Sequence, residues 1–539
     1  GGSKLFPSVI GGYPESLRQI KMGTGGAMPT ALISVYDKTG IISLGEVLAR
    51  RGWTLLATGG TLQVLQTHGV PATEVSSFTG FPECFEGRVK TLHPKIHGGL
   101  LFDRQKTSHV ENAQQLGIDP IDLVVVNLYP FEATISQPGV PFEEAIEQID
   151  IGGPSMIRSA AKNHASVTVL TQPAQYESFL NALENKAWGE LQRRQCAQVA
   201  FDHTARYDRA IADWLAMSPS AHPSALPSHL SLNLMQQQSL RYGENPHQAG
   251  AYYQSISGSA QGLAQVDQLQ GKELSFNNLL DMEACGRLIE TLPAPACVIV
   301  KHNNPCGVAL GLTLELAFDR ALACDPVSSF GGIVAFNETV TEPLARTMVE
   351  NFWEVIMAPN FTPEALRIFQ SKKSLRLMRI QLPWSTPGSL DIRSVSGGYL
   401  VQSLDTHPSL PSQWDIKVKG SSPPPSDHDL LLAHTVARSV KSNAIVLVKD
   451  RQTVGIGAGQ MSRVEAVRIA CEKAGDRAQG SLLGSDAFFP FADGLEWAAS
   501  QGVQAFIHPG GSVRDEEVIQ AARRLGVWLF ATGIRHFRH

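Results

Sequence analysis

The sequence predicts an α/β protein made of two successive regions, and three observations carry that prediction. Short apolar runs alternate with helical patterns from residue 32 onward. A stretch rich in proline and serine, residues 217–228, interrupts the alternation. Beyond it the alternation resumes, with apolar runs that end in polar, glycine-containing turns. Continuous apolar strands separated by helices specify a parallel sheet covered on both faces.

In the first region Leu32–Tyr36 reads as a strand. A helix follows with Ile41, Leu44 and Leu48 on one face and Gly52 as its stop. Trp53–Ala57 is the next strand and leads through Thr58-Gly59-Gly60-Thr61 into a second helix. Leu123–Asn127 and Val167–Leu170 are further buried strands. In the second region the strands are Ala296–Val300, Gly332–Phe336, Ala444–Val448, Ala505–Ile507 and Val527–Ala531. Ser462-Arg463-Val464-Glu465 has the spacing of a capping box and predicts a helix start. Residues 371–427 are less regular and read as a join between two sub-domains. The expected boundaries are a leader at 1–28, a first domain at 29–216, a linker at 217–228 and a second domain at 229–539.

At 539 residues the chain exceeds a single hydrophobic core and fits roughly three to four folding units. Hydrophobic residues make up 43% and charged residues 18%, a globular composition. A formal net charge of −5 argues against nucleic-acid binding as the main function. No apolar run approaches the roughly 20 residues that span a bilayer. Seven scattered cysteines without C-x-x-C spacing predict reduced thiols and a cytoplasmic protein. Residues 1–28 lack the apolar segment of a signal peptide and read as an unstructured leader.

The chemistry-bearing residues gather where strands end. Lys301-His302 follows the run Ala296–Val300, so a cation and a proton acceptor stand together at a strand end. The following Asn303-Asn304-Pro305-Cys306-Gly307 is expected to turn the chain. Asp37-Lys38-Thr39-Gly40 and Thr58–Thr61 end two strands and together make a phosphate-sized turn pair. Arg88-Val89-Lys90-Thr91-Leu92-His93 adds cations, Asn127-Leu128-Tyr129 ends a strand, and Asp150-Ile151-Gly152-Gly153 opens a helix that carries Lys162. That Asp could equally be a helix cap. Further on, Arg241-Tyr242-Gly243-Glu244-Asn245-Pro246-His247 is a polar turn. Gly455–Arg463 is an anion-friendly strand-to-helix turn, and Ser485–Phe491 mixes acidic and aromatic residues. The basic C-terminal tail reads as solvated.

Taken in order, these motifs resemble a known family. Ser34–Gly40, Thr58–Thr61, Arg88–Pro94, Asn127–Phe131, Gln148–Gly153 and Ala160–His164 resemble the inosine monophosphate cyclohydrolase half of the bifunctional purine biosynthesis proteins. Arg241–Gln248, Lys301–Gly307, Ser328–Gly331, Lys441–Asn443, Gly455–Arg463, Ser485–Asp493 and Pro509–Ser512 resemble the formyltransferase half. The resemblance implies a methylglyoxal-synthase-like first domain and a second region of two cytidine-deaminase-like units. It implies formyl transfer from 10-formyltetrahydrofolate, a cosubstrate, to the 5-amino group of aminoimidazole carboxamide ribonucleotide. Dehydrative closure to inosine monophosphate follows. It also implies a homodimer with shared formyltransferase sites, no catalytic metal, and no nucleic-acid or membrane partner. A structural monovalent cation stays open.

Residue by residue, the resemblance assigns catalysis of formyl transfer to Lys301, His302 and Asn443, and ring closure to Lys90, Tyr129, Asp150 and Lys162. The cyclohydrolase nucleotide would meet Tyr36, Asp37, Lys38, Thr58, Gly59, Gly60, Thr61, Arg88, Thr91, Asn127 and Ile151. The formyltransferase nucleotide would meet Arg241, Tyr242, His247, Gly331, Glu354 and Arg463, and the folate Phe488, Asp493, Ser512, Val513 and Arg535. Two departures stand out: Tyr36 where the family commonly has a small serine, and Ala492 where it often has arginine. They leave room for a chain with one inactive domain, or for a non-catalytic nucleotide-binding scaffold. A zinc deaminase is disfavoured, because Asn304 and Ala309 stand where metal chemistry needs glutamate and cysteine.

Overall fold

The computed structural model describes residues 28–129, 131–135, 139–216, 226–256, 260–386 and 388–539. The expected leader, apart from Met28, and most of the expected linker lie outside the described residues. The chain forms two compact units, residues 1–231 and 232–539.

The first unit is built on five strands: β1 Thr30–Val35, β2 Thr54–Ala57, β3 Thr73–Glu74, β4 Leu123–Asn127 and β5 Thr168–Leu170. Their order is β3-β2-β1-β4-β5 and every pairing is parallel. Ala31, Leu32 and Ile33 of β1 and Leu123, Val124 and Val125 of β4 are fully buried, so successive residues on both faces of the sheet are sealed from solvent. This is why their sequence shows no polar alternation. The helix Ile41–Arg50 buries Ile41, Leu44 and Leu48, the predicted stripe. Parallel strands put all their carboxyl ends, and hence the turns after β1, β2 and β4, on one edge.

The second unit is built on β8 Asp267–Gln270, β9 Ala296–Lys301, β10 Asn304–Leu310, β11 Ile333–Phe336, β12 Val355–Ala358 and β13 Arg376–Arg379. They are joined by β16 Asp415–Val418, β17 Ile445–Lys449, β18 Gln452–Gly457, β19 Leu482–Ser485, β20 Ala505–His508 and β21 Trp528–Ala531. These twelve strands form one mixed sheet in the order β16-β21-β20-β19-β17-β18-β10-β9-β11-β12-β13-β8. Two-stranded ladders stand apart, β6 Leu234–Leu240 with β7 Gly250–Ser255, and β14 Leu390–Val395 with β15 Gly398–Ser403. The second ladder lies inside the segment expected to be irregular.

The large sheet is an internal duplication. Reading outward from its centre, β10-β9-β11-β12-β13-β8 mirrors β18-β17-β19-β20-β21-β16. The details repeat as well. Lys301 Nζ donates to the Phe330 carbonyl at 2.7 Å, and Lys449 Nζ to the Gln479 carbonyl at 2.8 Å. Each inner hairpin turns through two residues of positive φ, His302-Asn303 and Asp450-Arg451. A β-carbon on Gly307 or Gly455 would lie 1.9 Å or 2.0 Å from a helix carbonyl, so both strands demand glycine.

One expectation is corrected here. Asn304-Pro305-Cys306-Gly307 does not turn; it begins strand β10. The turn is made one step earlier by His302-Asn303. Pro305 is tolerated because the pairing with β9 is irregular between Pro305 and Gly307, where a missing N–H costs no ladder bond.

Candidate functional sites

In the first unit the sheet edge holds an anion-shaped turn. The Asn127 side chain at the end of β4 accepts from Tyr36 N at 2.6 Å and Asp37 N at 2.9 Å, and donates to the Asp37 carbonyl at 3.1 Å. Thr58 bonds Ser34 through their hydroxyls at 2.7 Å, and Thr61 Oγ1 is bound into β1 through Val35 N and O. Gly59-Gly60 then open the helix Gly59–Thr67 with free space around Gly60. Hydrogen bonds from Thr39 hold the Asp37 carboxyl below its usual range. Lys38 turns back onto the Val35 carbonyl, and burial lowers its pKa. Tyr36 is exposed and meets Tyr129 edge-to-face at 4.5 Å, so the larger residue does not crowd the turn.

Lys90 Nζ comes within 3.8 Å of the position a Gly59 β-carbon would take, and pairs with Glu83 at 2.8 Å. Arg88 pairs with Glu147. Gly152 and Gly153 allow Thr91 Oγ1 and the Asp150 carboxylate to approach where β-carbons would clash. Asp150 accepts from Gly153 N at 2.8 Å, so it does cap its helix. Burial also raises its pKa. Ile151 is exposed beside it. Lys162 ends the helix Gly152–Lys162, about 15 Å of helical rise from Gly152 at its start.

The edge also contains a residue the motifs did not reveal. The Tyr176 ring lies 3.3 Å from a β-carbon placed at Gly40, and its buried hydroxyl has no hydrogen-bond partner among the described residues. Burial, then the nearby Asp37 charge, push this phenol up to about 12, against a smaller opposing pull from the Asn127 side chain.

In the second unit the strand directions decide which residues meet. Because the two halves of the sheet run oppositely, one long edge collects the amino ends of β12, β11, β10 and β17 and the carboxyl ends of β9, β18, β19, β20 and β21. Glu354, Gly331, Lys301, His302, Asn443, Phe488, Asp493, Ser512, Val513 and Arg535 all follow or precede strands at this edge. Arg241, Tyr242 and His247 belong instead to the turn between β6 and β7, where Arg241 covers the Tyr242 ring at 4.8 Å. The Glu244 carbonyl in that turn accepts from Asn277, on the helix Phe276–Ile289.

A cavity of 440 Å³ opens at the centre of the edge, lined by Lys301, His302, Asn304, Cys306, Gln460 and Lys473 among others. The His302 turn is pinned from below: Asp281 accepts His302 N at 3.1 Å and Asn303 N at 2.7 Å. Asn304 links the turn to the next segment, accepting from Lys441 N at 3.0 Å. Asn443 donates to the Gln460 carbonyl at 2.9 Å and accepts from Arg463 at 2.7 Å. Burial pushes the Cys306 thiol up to about 12, so it is no nucleophile at neutral pH.

Arg463 is held firmly by its neighbours. Its side chain is 6% exposed and is committed to Ser485 at 2.8 Å, Asp486 at 2.6 Å and Asn443. Glu354 is likewise paired, with Arg376 at 2.7 Å. Of the residues assigned to folate, Val513 is fully exposed, Phe488 is half-buried, and Arg535 covers Phe537 at 4.4 Å. Ala492 is buried. The C-terminal tail is not solvated as expected. His536 is 2% exposed and bonds Asp405 at 2.6 Å, and Arg538 bonds the Ser439 carbonyl at 2.6 Å. Among the described residues no group of three or more His, Cys, Asp or Glu could hold a metal ion, and no helix is long and apolar enough to cross a membrane.

Comparison with known proteins shows the family. Residues 160–473, more than half the chain, match the model of the AICARFT/IMPCHase bienzyme, and residues 40–155 match the MGS-like domain. The bifunctional purine biosynthesis protein PurH of Desulfitobacterium hafniense (strain DSM 10664 / DCB-2) is 48% identical over 520 residues, covering 94% of this chain and 99% of that protein. PurH of Bacillus subtilis (strain 168) is 47% identical over 510 residues, with the same coverage. PurH of Synechococcus sp. (strain CC9605) is 48% identical over 530 residues, covering 95% of this chain and 100% of that one. The chain belongs to the AICARFT/IMPCHase family of bifunctional purine biosynthesis proteins.

Proposed function

We propose how this enzyme of the last two steps of inosine monophosphate synthesis divides them between its units. The second unit transfers the formyl group of 10-formyltetrahydrofolate to the 5-amino group of the aminoimidazole carboxamide ribonucleotide. The first closes the formylated product and releases water. The single observation that carries the reading is the Lys301-His302 pair, held at a cavity by a turn that Asp281 fixes.

The arylamine is a weak nucleophile, because its lone pair delocalises into the ring and the carboxamide. His302 takes the proton as the amine attacks the formyl carbon. Lys301, with two N–H bonds left after Phe330, stabilises the oxyanion that forms there. Collapse expels the folate nitrogen, which takes up a proton. In the first unit the turn of Asp37–Gly40 and Thr58–Thr61 holds the phosphate, and Lys90, Tyr129 and Asp150 serve the dehydration. Asp150 suits proton exchange with the departing oxygen, because burial raises its pKa toward the working range.

The working form is a cytoplasmic homodimer with formyltransferase sites shared between chains. Two observations support sharing. Glu354 precedes β12 and Ser512 follows β20, seven strand spacings apart in the sheet order, or about 34 Å, too far for one folate–nucleotide pair to bridge in one chain. Met461 and Val513 lie at this edge with side chains fully exposed, 101% and 104%, which suits burial by a partner. The test mixes His302→Ala chains with Asp493→Ala chains, one lesion on the nucleotide side of the edge and one on the folate side. Shared sites restore formyl transfer to about a quarter of wild type, because half the dimers are mixed and each carries one intact site. Sites contained within one chain restore none.

A further inference from the structure

We propose that Asp486 is a positioning residue for formyl transfer, orienting Asn443 from both sides; the inference rests on the role given to Asn443 above. The Asp486 side chain is completely buried. One carboxylate oxygen accepts from Arg463 at 2.6 Å and from Ala444 N at 3.2 Å, and the other accepts the Ser442 hydroxyl. The residues before and after Asn443 are thus tied to one carboxylate. The backbone repeats the link: Asp486 N donates to the Ala444 carbonyl at 3.3 Å.

The same carboxylate sets the Asn443 amide. Arg463, held by Asp486 and Ser485 through Nη1, gives an Nη2 donor to Asn443 Oδ1 at 2.7 Å. Asn443 Nδ2 is left to donate to the Gln460 carbonyl at 2.9 Å, and Gln460 lines the cavity with Lys301 and His302. Asn443 is therefore held against flipping or retreat while Asp486 keeps Arg463 in place. Without the carboxylate, Arg463 carries a buried charge whose remaining side-chain acceptors among the described residues are Ser485 and Asn443, and the amide loses its fixed orientation. Asp486 is not among the residues lining the cavity, so it acts through Asn443.

The rival is a staple that only joins β17 to β19. A staple lowers stability and leaves turnover per folded chain intact. A positioning residue lowers turnover in proportion to what Asn443 does. The experiment uses the full chain as wild type, Ser442→Ala, Asp486→Asn, Asn443→Ala and the double variant Asp486→Asn/Asn443→Ala. Formyl-transfer kcat and KM are measured, with ring closure by the first unit as the internal measure of intact chain. Misplacement of a reacting geometry by about 1 Å costs on the order of 100-fold, and a loss of that order in kcat is expected for Asp486→Asn with KM for the folate unchanged. Ser442→Ala, which leaves no buried charge unpaired, is expected to lose about tenfold. The double variant should be no slower than Asn443→Ala alone. Wild-type kcat in both Asp486→Asn and Ser442→Ala overturns the proposal, as does a double variant whose losses multiply. If Asn443→Ala itself turns over at the wild-type rate, the reading of Asn443 fails instead, and the proposal with it.

Discussion

The Asp281 carboxylate accepts the backbone N–H of His302 at 3.1 Å and pins a turn that has no glycine. His302 and Asn303 both sit at positive φ, 54° and 62°, a conformation that side chains other than glycine adopt at a cost. Asp281 offsets that cost by taking both turn amides. Replacing it with alanine leaves two N–H groups without their acceptor, at about 1–3 kcal/mol. Asp281→Ala is therefore expected to lower both the melting temperature and formyl transfer, while ring closure by the first unit is unchanged. A variant with unaltered formyl transfer would show that the turn holds its shape alone.

Asn127 does the corresponding work in the first unit with three hydrogen bonds to Tyr36 and Asp37. Asn127→Ala frees that turn. The expected result is a KM for the formylated nucleotide raised roughly tenfold, equivalent to about 1.4 kcal/mol, with formyl transfer untouched. An equal loss in both activities would mean a general folding defect instead.

Two buried histidines make the second unit sensitive to acid. Burial lowers His508 to about 4 and His434 to about 3. For His508 the Arg463 and Lys417 charges add to this and Asp515 opposes it. In the unfolded chain both titrate near 6.5. Below that pH the unfolded state binds protons that the folded state refuses, so stability present at pH 7 is lost as pH falls from about 6.5 toward 4. At pH 5 each site has cost about 2 kcal/mol. Hydrogen exchange of the β19 and β20 amides should quicken between pH 7 and pH 5, after correction for intrinsic rates. His508→Gln should remove about half of that change, and an unchanged pH dependence would contradict the account.

The duplicated glycines give a stability prediction. A methyl at Gly307 would stand 1.9 Å from the Ala321 carbonyl oxygen, and one at Gly455 2.0 Å from that of Ala470. Both contacts are with backbone, which cannot swing aside. Gly307→Ala and Gly455→Ala should each cost about 3 kcal/mol, read as a fall in melting temperature. Gly398→Ala, in the β14–β15 ladder with open space around it, should cost under about 1 kcal/mol.

Much of the fold was legible because burial on both faces writes itself into a strand. Leu123–Asn127 reads as five residues of strand and is one. The helix start at Ser462 was legible from its capping spacing, and Ser462 Oγ does accept from Glu465 N at 3.3 Å. Strand β10 was hidden because proline and asparagine are turn formers, and only the pairing irregularity explains how Pro305 fits. The mirrored halves were hidden because their equivalent turns, His302-Asn303 and Asp450-Arg451, share geometry but no residue.

At the candidate sites the sequence exposed residues at strand ends, since direction and turn chemistry are local. It could not show partners supplied from far along the chain. Asp281 beneath His302, Tyr176 beside Gly40, and His536 against Asp405 are each brought in by tertiary packing. Nor could it show burial: nothing in the sequence around Arg463 signals that Asp486 and Ser485 hold it.

The account turns on His302 as the base of formyl transfer in a chain that also performs ring closure. The direct measurement supplies purified chain with 10-formyltetrahydrofolate and the aminoimidazole carboxamide ribonucleotide, and follows tetrahydrofolate and inosine monophosphate separately, with His302→Ala alongside. The account predicts both products from the wild type, no tetrahydrofolate from His302→Ala, and undiminished ring closure by that variant when it is given the formylated nucleotide. Tetrahydrofolate formed at the wild-type rate by His302→Ala would contradict it.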